Sequence, residues 1–225
     1  MNFALFKSID SSNRIVEEMN PTSLMKAVKN PIEMENLRRA HLKDGVALTK
    51  FLYWLKTEGL KQNITETEAA ERVEAFRKEQ EGYICPSFVT ISAYGSNAAM
   101  CHYHPTKEDE TVIGDRGFYL LDSGGHYYEG TTDVTRTVCT GPITDEMRLH
   151  YTLVLMGMLR LAGARFLYGC QGINLDYLAR GPLWDRGLNF DHGTGHGVGF
   201  LSNVHERPNG IRWKHVPAAL WKKAW

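Results

Sequence analysis

The sequence has no excess of charge of either sign, since 26 lysines and arginines stand against 26 aspartates and glutamates in 225 residues. A balanced chain sets up no long-range field to gather a polyanion, so neither nucleic acid nor an anionic membrane is expected as a partner. Long apolar runs are lacking as well. The most apolar stretch, Leu153 to Leu161, is interrupted by Gly157 and Arg160 and falls far short of the roughly 18 residues that cross a bilayer. Near the start, Phe3 to Phe6 is too short for the apolar part of a secretory leader and no basic segment precedes it, which makes the cytoplasm the expected location. Cysteines are few: Cys85, Cys101, Cys139 and Cys170 are widely spaced and form no Cys-x-x-Cys pair, so buried free thiols are expected rather than a zinc knuckle or a redox motif. There is no repeat with a period of about 20 to 50 residues, no low-complexity tract and no linker-like stretch.

What the chain does have is enough apolar residue, 43%, to bury a continuous core in one large domain or two small ones. Asn30-Pro-x-Glu33 places a cap, a proline at the first helical position and a capping-box glutamate in order, so a long helix is expected from there to Gly59. Leu37, Ala40, Ala47, Phe51 and Leu55 form its apolar face. Thr65 and Glu68 repeat the capping pattern for a second helix through Ala69, Val73 and Phe76 towards Gly82. Strand-like runs follow at Phe88–Ile91, Gly117–Leu121 and Val134–Cys139. Thr144 caps a helix to Leu161, and Asn174 is expected to cap another that Gly181-Pro182 interrupts. This order predicts an α+β domain with helices packed on an antiparallel sheet.

Two constellations carry chemistry. Asp122 ends the run Phe118–Leu121 on the face of Phe118 and Leu120, and Asp133 opens the next strand. A hairpin centred between Tyr127 and Tyr128 would make the two carboxylates cross-strand neighbours. Such a pair repels unless a shared proton, a basic side chain or a divalent metal holds it, although each aspartate taken alone fits a turn or cap as well. The second constellation is Asp191-His-Gly-Thr-Gly-His-Gly-Val-Gly followed by Asn203-Val-His-Glu, which gathers His192, His196 and His205. The glycines make a regular helix improbable and the Glu of His-Glu-x-x-His is absent, which removes that zinc-protease motif. A dinucleotide fingerprint fails too, because its third glycine would have to fall on Val198, Phe200 or Ser202. The glycines instead let backbone pass close to a ligand, a metal site or a neighbouring strand, and the histidines are either structural or part of a metal or catalytic site.

Taken together, Ser96–Tyr103, Leu121-Asp122-Ser123-Gly124, Gly130–Thr137, His192–Gly199 and Asn203–Glu206 resemble the pita-bread metallopeptidases, and among them the Xaa-Pro aminopeptidases. Asp133-x-Thr-Arg-Thr137 favours these or the prolidases over the methionine aminopeptidases. The likeness implies a catalytic domain over 29–217, preceded by the remnant of a linker or domain at 1–28 and followed by an unrelated tail at 218–225. It implies two divalent ions, with manganese usual and zinc or cobalt the alternatives. Asp122 would bind one ion, Asp133 would bridge both and His196 would bind the other. His102, His192 and His205 would serve the substrate. Two ions about 3.5–4 Å apart would activate a bridging hydroxide against the scissile carbonyl, releasing the residue before proline. A homodimer is the oligomer implied.

Two features depart from the family. The two glutamate ligands that normally follow the histidine segment are not found before Trp225, with Glu206 a poor substitute, and Arg207 stands where relatives usually carry glycine. The expectation is therefore a truncated chain, inactive as it stands. The competing readings are a prolidase acting on Xaa-Pro dipeptides and a non-catalytic peptide-binding module of the same fold.

Overall fold

The computed structural model describes residues 3–214 apart from Glu17 and Met19. The expected tail at 218–225 lies outside the described residues. Two short helices, α1 (Phe3–Lys7) and α2 (Pro21–Ala27), lead to the long helix α3 (Pro31–Thr57). The capping box at its start is formed: Asn30 Oδ1 accepts the Ile32 and Glu33 N–H groups at 2.9 Å, and Glu33 accepts the Asn30 N–H at 2.8 Å. A single 3₁₀ turn, Gly59–Gln62, separates it from α4 (Glu66–Lys78), where Thr65 and Glu68 form the second box. Ala40, Ala47, Leu48, Phe51 and Leu55 of α3 are buried, as are Ala69 and Val73 of α4. Together with Ile64, Ile113, Tyr119 and Leu121 the last three of the α3 residues and both α4 residues form the main core cluster.

Strands β1 (Tyr83–Pro86), β2 (Ile91–Tyr94), β3 (Phe118–Ser123), β4 (Gly125–Tyr127), β5 (Gly130–Thr131) and β6 (Val134–Cys139) follow. Their antiparallel ladders run β1-β4-β5 and β2-β3-β6. One long hairpin thus serves two sheets, with β3 and β6 in one and β4 and β5 in the other. The corner between them is Gly124, where a Cβ would stand 1.9 Å from the Thr132 carbonyl oxygen. No side chain fits there, so the sequence must supply glycine for the bend.

Helix α5 (Asp145–Ala162), capped by Thr144, then packs on α6 (Gly172–Trp184). Gly157 makes the crossing close, since a Cβ on it would meet the Ala179 carbonyl oxygen at 2.1 Å. The ribbon β7 (Gly195–Gly197) and β8 (Glu206–Ile211) completes the described chain. It is seated from two sides: Gly172 abuts the Gly210 backbone, and buried Glu206 pairs with Lys29 and, at 3.6 Å, with Lys26 of α2.

Four sequence expectations are corrected. Phe88–Thr90 is not a strand; β1 and β2 flank it, because here the chain crosses from one sheet to the other and leaves both ladders. The hairpin turns between Tyr128 and Glu129, with Tyr127 paired to Gly130, so Thr135 and not Asp133 stands opposite Asp122. Gly130 sets this register by adopting φ +141° directly after the turn. Asn174 is not the cap of α6 but its third residue: Gln171 caps, Asn174 reaches back to the Gln171 N–H at 2.9 Å, and Pro182 sits inside the helix. That proline lies two residues from the end of the helix, so the one amide donor it lacks interrupts only the last turn. The cysteines are free but not buried; Cys85, Cys101 and Cys139 are exposed and Cys170 half-buried.

Candidate metal centre

A cleft of about 1080 Å³ opens between β3, β6, the β7–β8 ribbon and the segment after the 3₁₀ turn Gly95–Ala99. Asp122, Asp133, His102, His192, His196 and His205 all line it. Asp122 faces Thr135 across the ladder, and Asp133 lies two residues before Thr135 on the same face, so the carboxylates are diagonal neighbours. Ribbon geometry brings His196 to them. Its Nδ1 donates to the Gly197 carbonyl at 2.9 Å, which leaves Nε2 directed at Asp133 Oδ2, 3.3 Å away. Glycine at 197 is required because a Cβ would lie 2.8 Å from the Glu206 carbonyl oxygen, so the ribbon that carries His196 closes only without a side chain there.

A row of imidazoles extends from this pair. His205 stands edge-on to His196 with ring centroids 4.1 Å apart, and His102 is 6.5 Å beyond His205. His192 does not join the row; its ring packs on Phe190 at 4.7 Å and its Nδ1 donates to the Gly193 carbonyl at 2.8 Å. Electrostatics follow from this crowding. Burial, with Asp133 adding to it, pushes the Asp122 carboxyl above the usual carboxylate range, against the opposing effect of the Thr135 hydrogen bond. Hydrogen bonding to Asp133 raises the His196 pKa, while burial and then the neighbouring His196 lower that of His205.

Donor chemistry here fits a divalent ion in part. Two carboxylates and a neutral imidazole nitrogen are hard and borderline donors suited to manganese or zinc, and Asp122 Oδ1 is buried with no hydrogen-bond partner. Among the described residues, however, no three His, Cys, Asp or Glu side chains group tightly enough to hold one ion. Glu206 does not complete the set, because its carboxylate is taken by Lys29 and Lys26.

Two buried supports escaped the sequence reading. Arg180 of α6 donates to Asp176 at 2.7 Å, to Asn189 Oδ1 at 3.0 Å, to the His192 carbonyl at 2.7 Å and to the Phe190 carbonyl. Its guanidinium also stacks 3.7 Å from the Phe190 ring, and Asp176 accepts from the Thr194 hydroxyl at 2.6 Å. This pair shapes the loop that presents His192 and leads into His196. The available signal was Asp176 and Arg180 at i, i+4 among Leu175, Leu178 and Ala179, a charged pair on an otherwise apolar face. The other support is Glu66, whose carboxylate receives donors from the segment carrying His102. Its place in the first turn of a capped helix looks like ordinary dipole complementarity and gives no such signal.

Comparison with known proteins places this geometry in context. The sequence is 46% identical over 211 residues to a probable Xaa-Pro aminopeptidase P of Tuber melanosporum, covering 93% of this chain and 34% of that protein. The X-prolyl aminopeptidase of Caenorhabditis elegans, described as a cytosolic enzyme with a di-nuclear active site, superposes with a TM-score of 0.86 at 43% identity over 92% of this chain and 34% of its own. Prolidase from Pyrococcus furiosus matches with a TM-score of 0.71 at 26% identity over 90% of this chain and 56% of its own. The chain thus spans about a third, 34%, of the length of the curated relatives it matches. The sequence profile of metallopeptidase family M24 matches residues 35–220, so the α+β arrangement of helices on antiparallel ladders is the pita-bread fold, and the chain belongs to metallopeptidase family M24.

Proposed function

We propose that this chain is the metal-binding part of a peptidase that removes the N-terminal residue from peptides with proline in second position. The observation that carries the reading is the pairing of His196 Nε2 with Asp133 at 3.3 Å in the cleft where Asp122 Oδ1 lies buried and unpartnered. On this reading Asp122 and His196 would each help hold one of two divalent ions, manganese being the expected metal, with Asp133 shared between them. When bound, the ions would activate water and polarise the scissile carbonyl.

The chain's own residues do the rest. Gly197 fixes the His196 tautomer through its carbonyl, so that the nitrogen facing Asp133 is free to accept a cation. His205, whose pKa is lowered by burial and by His196, stays neutral near pH 7 and can donate a hydrogen bond to the substrate carbonyl or pass a proton to the leaving proline nitrogen. His192, on the Arg180-braced loop, is assigned the same kind of contact from the other wall. His102 would line the pocket that takes proline. No helix among the described residues is long and apolar enough to cross a membrane, and a cytoplasmic location is part of the proposal.

The test compares the 225-residue chain with the same chain extended to the length of its relatives, measuring bound metal by mass spectrometry and hydrolysis of an Xaa-Pro dipeptide and an Xaa-Pro-Xaa tripeptide. The extended protein is expected to bind two ions and cleave the tripeptide. Asp133→Ala should reduce kcat/KM more than tenfold, a loss above about 1.4 kcal/mol, whereas His102→Ala should leave the metal content unchanged. Cleavage of the dipeptide alone would make the protein a prolidase, and peptide binding without metal or turnover would make it a binding module.

A further inference from the structure

We propose that Glu66 is a positioning residue that fixes His102 in the cleft. The inference rests on the reading of His102 as a substrate-facing group, but its test does not depend on turnover. Glu66 is completely buried at the first position of α4. Among the described residues it pairs with no cation, and hydrogen-bond donors surround it. Its Oε1 accepts the Tyr94 N–H at 2.6 Å and the Asn97 side-chain amide at 3.1 Å, and its Oε2 accepts the Tyr103 hydroxyl at 2.7 Å and the Thr111 N–H at 3.1 Å. All four donors belong to one stretch of chain. Tyr94 ends β2, Asn97 lies in the 3₁₀ turn Gly95–Ala99, Tyr103 directly follows His102, and Thr111 closes the loop.

His102 itself needs such a frame. It adopts φ +60°, the left-handed region that a side chain enters only at a cost. None of the described contacts of its ring is a hydrogen bond; the nearest aromatic neighbour is His205 at 6.5 Å. What holds the residue is therefore its flanks, and both flanks end on one carboxylate. Burial, then the hydrogen bond to Glu66, pushes the pKa of the Tyr103 phenol up to about 12.

The chemistry of the hub requires an anion with two accepting oxygens. Glutamine has the same shape but only one acceptor. If its amide nitrogen occupied the Oε1 position it would face the Tyr94 N–H and the Asn97 amide, and at the Oε2 position it would face the Thr111 N–H. Either orientation sets donor against donor in a buried site.

The experiment uses the 225-residue chain with nitrogen-labelled histidine, in wild-type, Glu66→Gln and Tyr103→Phe forms, read by ring resonances and by amide exchange. The expected result for Glu66→Gln is a shifted or broadened His102 ring signal and exchange across residues 95–111 faster by about tenfold or more, with the His196 ring signal and the amides of β3 and β6 unchanged. Tyr103→Phe, which keeps the carboxylate and removes one donor, should move the same signals in the same direction by less. An unmoved His102 signal in either folded variant overturns the proposal. So does acceleration of β3 and β6 in step with residues 95–111, since that would make Glu66 a general core residue. Should Glu66→Gln not fold, Tyr103→Phe decides alone. Absence of hydrolysis in the wild-type chain bears only on the proposed function.

Discussion

Helix α3 buries Ala40, Asp44, Ala47, Leu48, Phe51 and Leu55 along one face, whereas α5, 18 residues long and more apolar, buries only Leu153 and Gly157. The contrast extends to what surrounds each. Around α3 and α4, polar groups are inside and paired: Arg77 donates to Asp44 at 2.6 and 3.2 Å and to Ser123 at 3.0 Å, and Tyr127 donates to Asp44 at 3.0 Å. Around α5 and α6, apolar groups are outside, with Val154 55%, Leu159 58% and Tyr177 59% exposed. The first region is a finished core, in which buried charges join two helices to the hairpin. In the second, α5 touches α6 closely along one line and leaves the rest of its apolar surface to water, while α6 buries Leu175, Ala179 and Leu183. Both regions serve the cleft, the first through β3 and β6, the second through α6 and the ribbon.

If the first region is a finished core, removing one member of its buried pair should do the most damage. Asp44→Ala leaves Arg77 charged and without a counter-ion in a site closed to water, and a loss of about 3–5 kcal/mol is expected. The midpoint of urea unfolding measures this, and a loss below about 1 kcal/mol would mean that water reaches Arg77 and that the two regions differ less than their burial indicates. Gly157→Ala probes the second region where it is tight. Its Cβ would overlap the Ala179 carbonyl, a backbone atom that cannot swing aside, so α5 must move off α6 at an expected cost of about 1–3 kcal/mol. An unchanged midpoint would show that this pair of helices contributes little to the cooperative unit.

The two regions also differed in how far they could be read. Helices α3 and α4 were legible from their starts and along their apolar faces because a capping box and an apolar stripe agree, although α4 stops at Lys78, short of Gly82. Helix α6 was read only in part, since Asn174 takes part in a capping box from its third position and Pro182 is absorbed by the last turn. Asp122 and Asp133 were found by the need to neutralise two close carboxylates, but their register was displaced by two residues because the turn is governed by the backbone of Gly130, not by the symmetry of the charges. The cleft histidines came from a glycine-spaced motif, and of its glycines Gly197 proves to be a place where strand meets strand. The partners of Glu66 and Arg77 could not be read. Arg77 meets Asp44 across 33 positions and Ser123 across 46, and no local period or cap connects residues so far apart.

A pH titration of stability sharpens the picture of the first region. His126 of β4 contacts the Thr131 hydroxyl at 2.9 Å, and burial lowers its pKa below the ordinary value of 6.5. The folded chain therefore binds this proton less readily than the unfolded chain. Stability is full above the unfolded pKa and falls as pH drops through 6.5 towards the folded pKa. His126→Gln should reduce that acid-side loss, as followed by unfolding midpoints at successive pH values. Equal slopes in the two proteins would remove His126 as a cause.

The smallest expected effect on stability belongs to the outer face of α5, where it tests the other side of the contrast. Val154 and Met158 are one helical turn apart, as are Leu155 and Leu159, so they form adjacent stripes of one apolar face. Their exposures of 55%, 51%, 39% and 58% mean that the folded chain gains little from them. Val154→Lys with Leu159→Lys removes apolar surface that is already wet, and lysine is as good a helix former as leucine and better than valine. The unfolding midpoint should therefore stay within about 0.5 kcal/mol of the parent. Self-association should change far more, because a contiguous apolar face is the kind of surface on which chains aggregate or dock. Light scattering at rising concentration and binding of a hydrophobic dye should both fall in the double variant. Stability lowered by more than about 1 kcal/mol would show instead that this face is covered in the folded chain, and the contrast between a finished and an open region would have to be abandoned.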